Sequence, residues 1–310
     1  MEHLSGLAAA QLDRPSLVTI GVFDGVHRGH QHLLGQLVTH ARASGLLAVV
    51  QTFFPHPDVV LRGLTGRYYL TSPEQKAALL AELGVDVVVT QTFDEALRQM
   101  RASEYVNLLL NGLNMRALWV GPDFALGYRR EGNVAYLREQ SARMGFDLRV
   151  VDLLADGEPE AIRSTTIRRA LQEGDVEQAQ ALLGRPYALA GAVVPGDRRG
   201  HRIGFPTANI AVWEEQVIPA NGVYAGWAAL GDARFMAVTN VGVRPTFNGH
   251  DTTVEAHLLD FDRDIYGERL SVTFERRLRP EMRFSGVDAL VAQIRADAAA
   301  GRAFLSGVSL

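Results

Sequence analysis

The chain runs to 310 residues, 47% of them hydrophobic, with a net charge of −4 and no lysine–arginine block; that is enough for two domains with apolar cores and disfavours a nucleic-acid partner. It has no cysteine, which excludes disulfides, thiolate nucleophiles and zinc–thiolate sites together. No apolar run approaches the ~20 residues that span a bilayer and no signal peptide precedes the first strand, so the expectation is a cytoplasmic protein without a membrane partner, its oligomeric state left open.

Apolar β-branched runs predict strands at 16–22, 46–53, 85–90, 115–120 and 146–153. Helical periods fit between them at 30–44, 73–83, 103–112 and 133–144, with Ser72–Pro73 and Gly84 as start and stop signals for the second. Strands separated by helices imply βαβ units and a parallel sheet of the α/β class. Two short helices follow at 164–173 and 175–183, ending at Gly184.

After Arg185–Pro186 the pattern changes to short apolar runs broken by Gly, Pro and Asn: Tyr187–Val194, Gly222–Leu230, Ala233–Asn240, Val254–Leu259 and Leu270–Leu278. That spacing predicts an antiparallel β-barrel or sandwich, with a terminal helix from Val287 covering an open end. The domains are therefore expected at 1–184 and 185–310.

Gly21-Val22-Phe23-Asp24-Gly25-Val26-His27-Arg28-Gly29-His30 ends the first strand in glycines and turns into a helix. Such a helix N-terminus presents unpaired N–H groups and a positive dipole end, a ready place for phosphate, and His27 and His30 add two imidazoles. The plainer alternative is a glycine turn with two surface histidines. Neither the P-loop nor the dinucleotide fingerprint is present; His-x-Gly-His instead resembles the nucleotidyltransferase superfamily, in which an oxygen nucleophile attacks the α-phosphate of a nucleoside triphosphate. Fixed donors suit the charge that gathers on the phosphoryl oxygens there. Ser164 and Thr165 start a later helix, where they serve as caps or as phosphate donors, and Arg168 one turn on suits a β- or γ-phosphate. Phe53, Phe54, Pro55, His56 and Pro57 follow the second strand, while Asp123 and Phe124 lie in the Gly121–Gly127 loop after the fourth. The aromatics there either stack on a planar ring or cover the sheet.

In the second half, Gly200-His201-Arg202-Ile203-Gly204-Phe205-Pro206-Thr207-Ala208-Asn209 is a basic loop with glycines near both ends. Thr207 and Asn209 are alternate residues, so in extended chain both oxygens face one side and suit magnesium held jointly with phosphates. An ordinary turn is the alternative. Glu255 lies within an apolar strand, either as a salt-bridged structural group or as a base for an attacking hydroxyl.

Together these segments resemble the bifunctional bacterial riboflavin kinase/FAD synthetase family along nearly the whole chain. The resemblance rests on Gly21–His30, Arg163–Arg168, Gly204–Asn209, Gly222–Tyr224, Asn240–Phe247, Glu255–His257 and Tyr266–Glu268. It implies a Rossmann-like adenylyltransferase domain followed by a kinase built on a small barrel. The kinase makes FMN from riboflavin and Mg–ATP; the adenylyltransferase makes FAD and pyrophosphate from FMN and a second ATP. By position it gives the first ATP to Gly21, Phe23, Asp24, Gly25, His27, Gly29, His30, Ser164, Thr165 and Arg168. Phe54, His56, Pro57, Asp123 and Phe124 fall on flavin or nucleotide loops. Gly200, Gly204, Pro206, Thr207 and Asn209 hold the kinase's ATP, Thr207 and Asn209 its magnesium, and Glu255 is the base for the ribityl hydroxyl. The sequence departs from the family pattern at Arg163, Ala125–Leu126 and Pro195. A flavin-binding protein that has lost one or both activities is the competing possibility.

Overall fold

The structure, a computed structural model, describes residues 1–151, 162–196, 200, 203–246 and 249–308. By contacts the chain divides into two compact units, Met1–Ser164 and Thr165–Leu310. The strand expected to reach residue 153 is described to residue 151, and Asp197, His201, Arg202 and Phe247 lie outside the described residues.

The strands of the first unit are β1 (Glu2–Ser5), β2 (Ser16–Ile20), β3 (Leu47–Phe54), β4 (Val87–Thr92), β5 (Met115–Val120), the short hairpin β6 (Ala125–Leu126) and β7 (Gly132–Asn133), and β8 (Asp147–Val150). Among the described residues six of them form one parallel sheet in the order β1-β4-β3-β2-β5-β8. The helices are α1 (Arg28–Ala43), α2 (Pro57–Arg62), α3 (Pro73–Glu82), α4 (Glu95–Gln99), α5 (Ala102–Gly112) and α6 (Val134–Met144). Neighbouring β2 residues feed two cores. Leu17 packs with Leu33 and Leu37 of α1 and Leu80 of α3, while Val18 and Ile20 pack with Val106 and Leu109 of α5 and Leu137 of α6. Both sheet faces are therefore covered, which is why the strands read as unbroken apolar runs. The chain leaves β2 toward β3 and β4 on one side and returns to β5 on the other. That reversal makes the carboxyl ends of β2 and β5 a topological switch point, where ligands bind in such sheets.

The five expected strands and four expected helices of this unit are all present. The edge strand β1, mostly exposed, and the single-turn helices α2 and α4 had no readable period. Helix α1 starts at Arg28 rather than at residue 30, because His27 itself is its N-cap.

The second unit holds most of α7 (Ser164–Glu173), then α8 (Val176–Leu183), β9 (Tyr187–Val194), β10 (Ala208–Val212), β11 (Gly222–Leu230), β12 (Ala233–Thr246), β13 (Gly249–Leu258), β14 (Arg269–Phe274), β15 (Arg276–Pro280) and α9 (Val287–Ser306). The expected boundary after Gly184 followed composition; by contacts, α7 and α8 group with the barrel. Ala220 N–H donates to the Leu171 carbonyl at 2.9 Å, and the Arg277 guanidinium donates to the carbonyls of Glu173 and Asn221.

The antiparallel ring runs β12-β13-β10-β9-β14-β11 and closes through β11–β12 pairing. Leu270–Leu278, expected as one strand, is interrupted at Glu275 into β14 and β15, which share one edge of β11. Closure removes the free edges that an open sheet would expose. Helix α9 lies along a side face, not over an open end as expected. It packs through Leu305 and Phe304 on Ala225, Trp227, Met236 and Leu278, alternate residues that point out of the ring. Asp297 of α9 accepts a bidentate pair of hydrogen bonds from Arg279 of β15, the closest at 2.8 Å.

Candidate active sites

The turn from β2 into α1 is compressed. Phe23, Gly25 and Val26 all have left-handed backbone, at φ 51°, 78° and 39°. Only glycine adopts that region freely, so Gly25 is required by the turn, while Phe23 and Val26 are strained. Asp24 is buried, and its carboxylate accepts from the Leu70 and Thr71 amides at 3.0–3.3 Å. Gly25 N–H donates to the Thr71 hydroxyl. The turn is thus stitched to the segment that precedes α3.

His27 Nδ1 accepts from the His30 backbone N–H at 3.4 Å, closing the first turn of α1. This bond places the His27 proton on Nε2, leaving that nitrogen as a donor. The two imidazoles stack, centroids 3.6 Å apart and planes 17° apart, and Phe23 meets the edge of His30 at 5.1 Å. Burial, then the charges of His27 and Lys76, hold the His30 pKa well below its usual 6.5. His30 Nδ1 has no hydrogen-bond partner among the described residues. The Ser164 hydroxyl, 140 residues away in sequence, donates to the Asp24 carbonyl at 3.0 Å. It therefore joins this turn. Thr165 is exposed and Arg168 buried, both on α7 beyond the contact division. Gly21 follows β2, and Gly29 is buried in the first turn of α1.

The flanking loops are partly absorbed by structure. Phe53 meets Phe93 edge-on at 5.8 Å and packs on the core, and Phe54 lies 5.8 Å from Tyr69. His56 caps α2, accepting from Asp58 N–H at 3.0 Å, and Pro57 is the first residue of that helix. Asp123 is exposed, its carbonyl accepting from Arg130, while Phe124 packs against the core. Sequence inspection missed Lys76. Its ammonium is buried and donates to the Thr52 hydroxyl at 3.0 Å and to the carbonyls of Val22 and Phe53 at 3.2 and 3.4 Å. A lysine on an amphipathic helix normally reads as solvent-facing, so no local signal marked it.

In the barrel, Asn209 of β10 lies directly opposite Glu255 of β13, and Glu255 lies opposite Asn240 of β12. The register sets these three polar side chains in a row across adjacent strands, on one face. All three line a cavity of about 1220 Å³ shared with Thr207, Pro206, Gly196 and Gly200. A Cβ at Gly196 would collide with the Asn209 amide. His257 donates from its ring to the Pro206 carbonyl at 2.8 Å, holding the segment that carries Thr207. Gly204, in left-handed backbone at φ 84°, is exposed and does not line the cavity. Asn240 and Glu281 also line it; in the sequence Asn240 had a place in a family motif but no role, and Glu281 was not marked. For Asn240 the signal was available, an amide inside an apolar strand as with Glu255.

A helix start carrying two histidines in one unit, and a polar row across three strands of a closed barrel in the other, are the features of a transferase with two nucleotide-using sites. A family model described as FAD synthetase matches residues 9–166, and one described as riboflavin kinase matches residues 183–305. The bifunctional riboflavin kinase/FMN adenylyltransferase of Listeria monocytogenes is 38% identical over 296 residues, covering 95% of this chain and 94% of that protein. The protein of the same name from Escherichia coli K12 is 39% identical over 290 residues, covering 93% and 92%. The chain belongs to the bifunctional riboflavin kinase/FMN adenylyltransferase family. A crystal structure described as a macrolide-efflux protein from Streptococcus pneumoniae superposes with a TM-score of 0.88 at 29% identity, covering 97% of this chain and 99% of that one. Among the described residues no helix is long and apolar enough to cross a membrane.

Proposed function

We propose that the barrel phosphorylates riboflavin with Glu255 as base, and that the N-terminal unit then adenylylates the resulting FMN at His27 and His30. The Asn209–Glu255–Asn240 row carries the first assignment. A carboxylate between two amides on the wall of this cavity would take the proton of the ribityl 5′-hydroxyl as its oxygen attacks the γ-phosphorus of ATP. The new O–P bond forms, the bond to the β-phosphate oxygen breaks, and ADP leaves. Magnesium fits the donors here, since Thr207 and Asn209 offer neutral oxygens beside a carboxylate, an all-oxygen set of the kind that ion takes. Thr207 and Asn209 would hold it with the ATP phosphates, where it supplies charge neutralisation.

In the N-terminal unit, an FMN phosphate oxygen attacks the α-phosphorus of ATP and pyrophosphate leaves. The α1 N-terminus, the His27 Nε2–H and the His30 ring are the donors for the charge that develops. Ser164 supports the turn through the Asp24 carbonyl, and Phe23, Asp24 and Gly25 shape it. Thr165 and Arg168 are assigned to the same triphosphate from their sequence motif, and Phe54, His56, Pro57, Asp123 and Phe124 to the flavin-side loops. The adenylyltransferase is taken to occupy 1–184 and the kinase 185–310, in a protein acting in the cytoplasm.

The test is to incubate the pure protein with riboflavin, ATP and magnesium and follow products by chromatography. FMN should appear first and FAD after it. Tight flavin binding with neither product would leave only a flavin-binding protein.

A further inference from the structure

The mechanism above makes no use of Lys76, although it is 8% exposed and lies within the charge field of His30. A buried cation is costly unless paired, and apolar packing would serve a merely structural position as well. Lys76 bonds no carboxylate in the contacts described above. Its three donors go to the Val22 carbonyl, at the start of the histidine turn, and to the Thr52 hydroxyl and Phe53 carbonyl, at the end of β3. The Thr52 hydroxyl in turn donates to the same Val22 carbonyl at 2.9 Å. These groups lie at the carboxyl ends of two adjacent parallel strands, where the histidine turn and the Phe54–Pro57 loop both begin.

The base of Lys76 is rigid. Helix α3 begins in a capping box between Ser72 and Gln75, and the residues just before it are held by Asp24 and Gly25. The side chain therefore leaves a fixed helix start and returns to the turn to which that start is already tied. A supporting group built this way fixes the geometry of the groups it touches.

We infer that Lys76 is a positioning residue for adenylyl transfer, its ammonium tethering the two loops beside His27 and His30. This inference rests on the adenylyltransferase assignment above. The groups that face the ammonium are Asp24 from the turn, whose charge favours the protonated form, and His30 from α1; β3 presents only an uncharged hydroxyl and carbonyl. Burial outweighs Asp24 and brings the Lys76 pKa down to about 8. Above that pH the amine loses its charge and one donor. The tether between the two loops weakens with it.

The experiment measures FAD formation from supplied FMN, and FMN formation from riboflavin, across pH 7 to about 9.5 on the full chain. The wild type should show a tenfold loss of FAD formation per pH unit above about pH 8, a limb absent from FMN formation. Lys76→Arg keeps the charge at all these pH values and should lose that limb while retaining activity at pH 7. Lys76→Met should lower FAD formation at least tenfold at pH 7 and leave FMN formation within twofold. A flat wild-type FAD profile to pH 9.5, an unchanged limb in Lys76→Arg, or a Lys76→Met variant within twofold of wild type would each overturn the inference. The wild-type profile decides even if Lys76→Met fails to fold. Absence of FAD from the wild type at every pH would instead overturn the assignment on which the inference rests.

Discussion

The imidazoles of His27 and His30 stack with centroids 3.6 Å apart, while the His27 ring also caps the helix on which His30 stands. Two such rings cannot both be cationic without repulsion, and the cap bond fixes the tautomer of the first. His30 is thus held as a neutral ring beside His27 at a helix N-terminus, suited to negative charge that appears only during the reaction.

Capping and chemistry at His27 are separable. Asparagine caps helices well but has no ring, so His27→Asn should stay within about 0.5 kcal/mol of wild-type stability. Its FAD formation should fall about 10²-fold or more, the usual cost of a lost transition-state donor. His27→Ala should lose about 1 kcal/mol of stability as well. FMN formation should be unchanged in both. Retention of more than a tenth of the FAD rate in His27→Asn would reduce His27 to a cap.

The neutrality of His30 has a cost in acid. Its folded pKa lies below the usual 6.5, so below that pH the unfolded chain binds a proton that the folded chain refuses. Stability should be unaffected above pH 6.5 and fall as pH drops below it, by up to about 1.4 kcal/mol per pH unit, until the folded pKa is reached. Urea unfolding at pH 7 and pH 5.5 measures this. His30→Gln should lose less stability than wild type between the two, and an equal loss would refute the prediction.

Glu255 should matter only to the barrel reaction. Glu255→Gln keeps shape and removes the base, and FMN formation should drop by about 10²–10⁴-fold. FAD formation from supplied FMN should be untouched. A Gln variant that still makes FMN at the wild-type rate would leave Glu255 as a structural partner of its neighbours.

The Arg279–Asp297 pair holds α9 to the barrel, with side chains 15% and 7% exposed. Removing one partner strands the other charge, and Asp297→Ala should cost about 3 kcal/mol in denaturant unfolding. Adding Arg279→Met should recover much of that loss. Full additivity of the two changes would show that the ion pair is not what couples them.

Much of the fold was legible because its elements are local. The apolar run at β2, the period of α1 and the Ser72 start of α3 each follow from residues a few positions apart. What escaped had weak or misleading local signals. The edge strand β1 is polar, α2 and α4 are single turns, and a lysine on α3 carries no mark of its burial. The interruption at Glu275 was hidden because residues on both sides share the strand pattern. For α9 the period predicted a helix, but only packing of Leu305 against Ala225 and Trp227 showed which surface it covers.

The sequence alone determined the two-part architecture, the family, and the identity of most residues proposed to act, since these depend on short-range pattern and motif. Only tertiary structure decided which of them meet. Strand register puts Asn240 beside Glu255, and a hydrogen bond across 140 residues brings Ser164 to the histidine turn. Buried hydrogen bonds turn Asp24 and Lys76 inward as supports. Such contacts are fixed by burying two sheet faces and closing a ring, and that energy belongs to the whole fold rather than to any one segment.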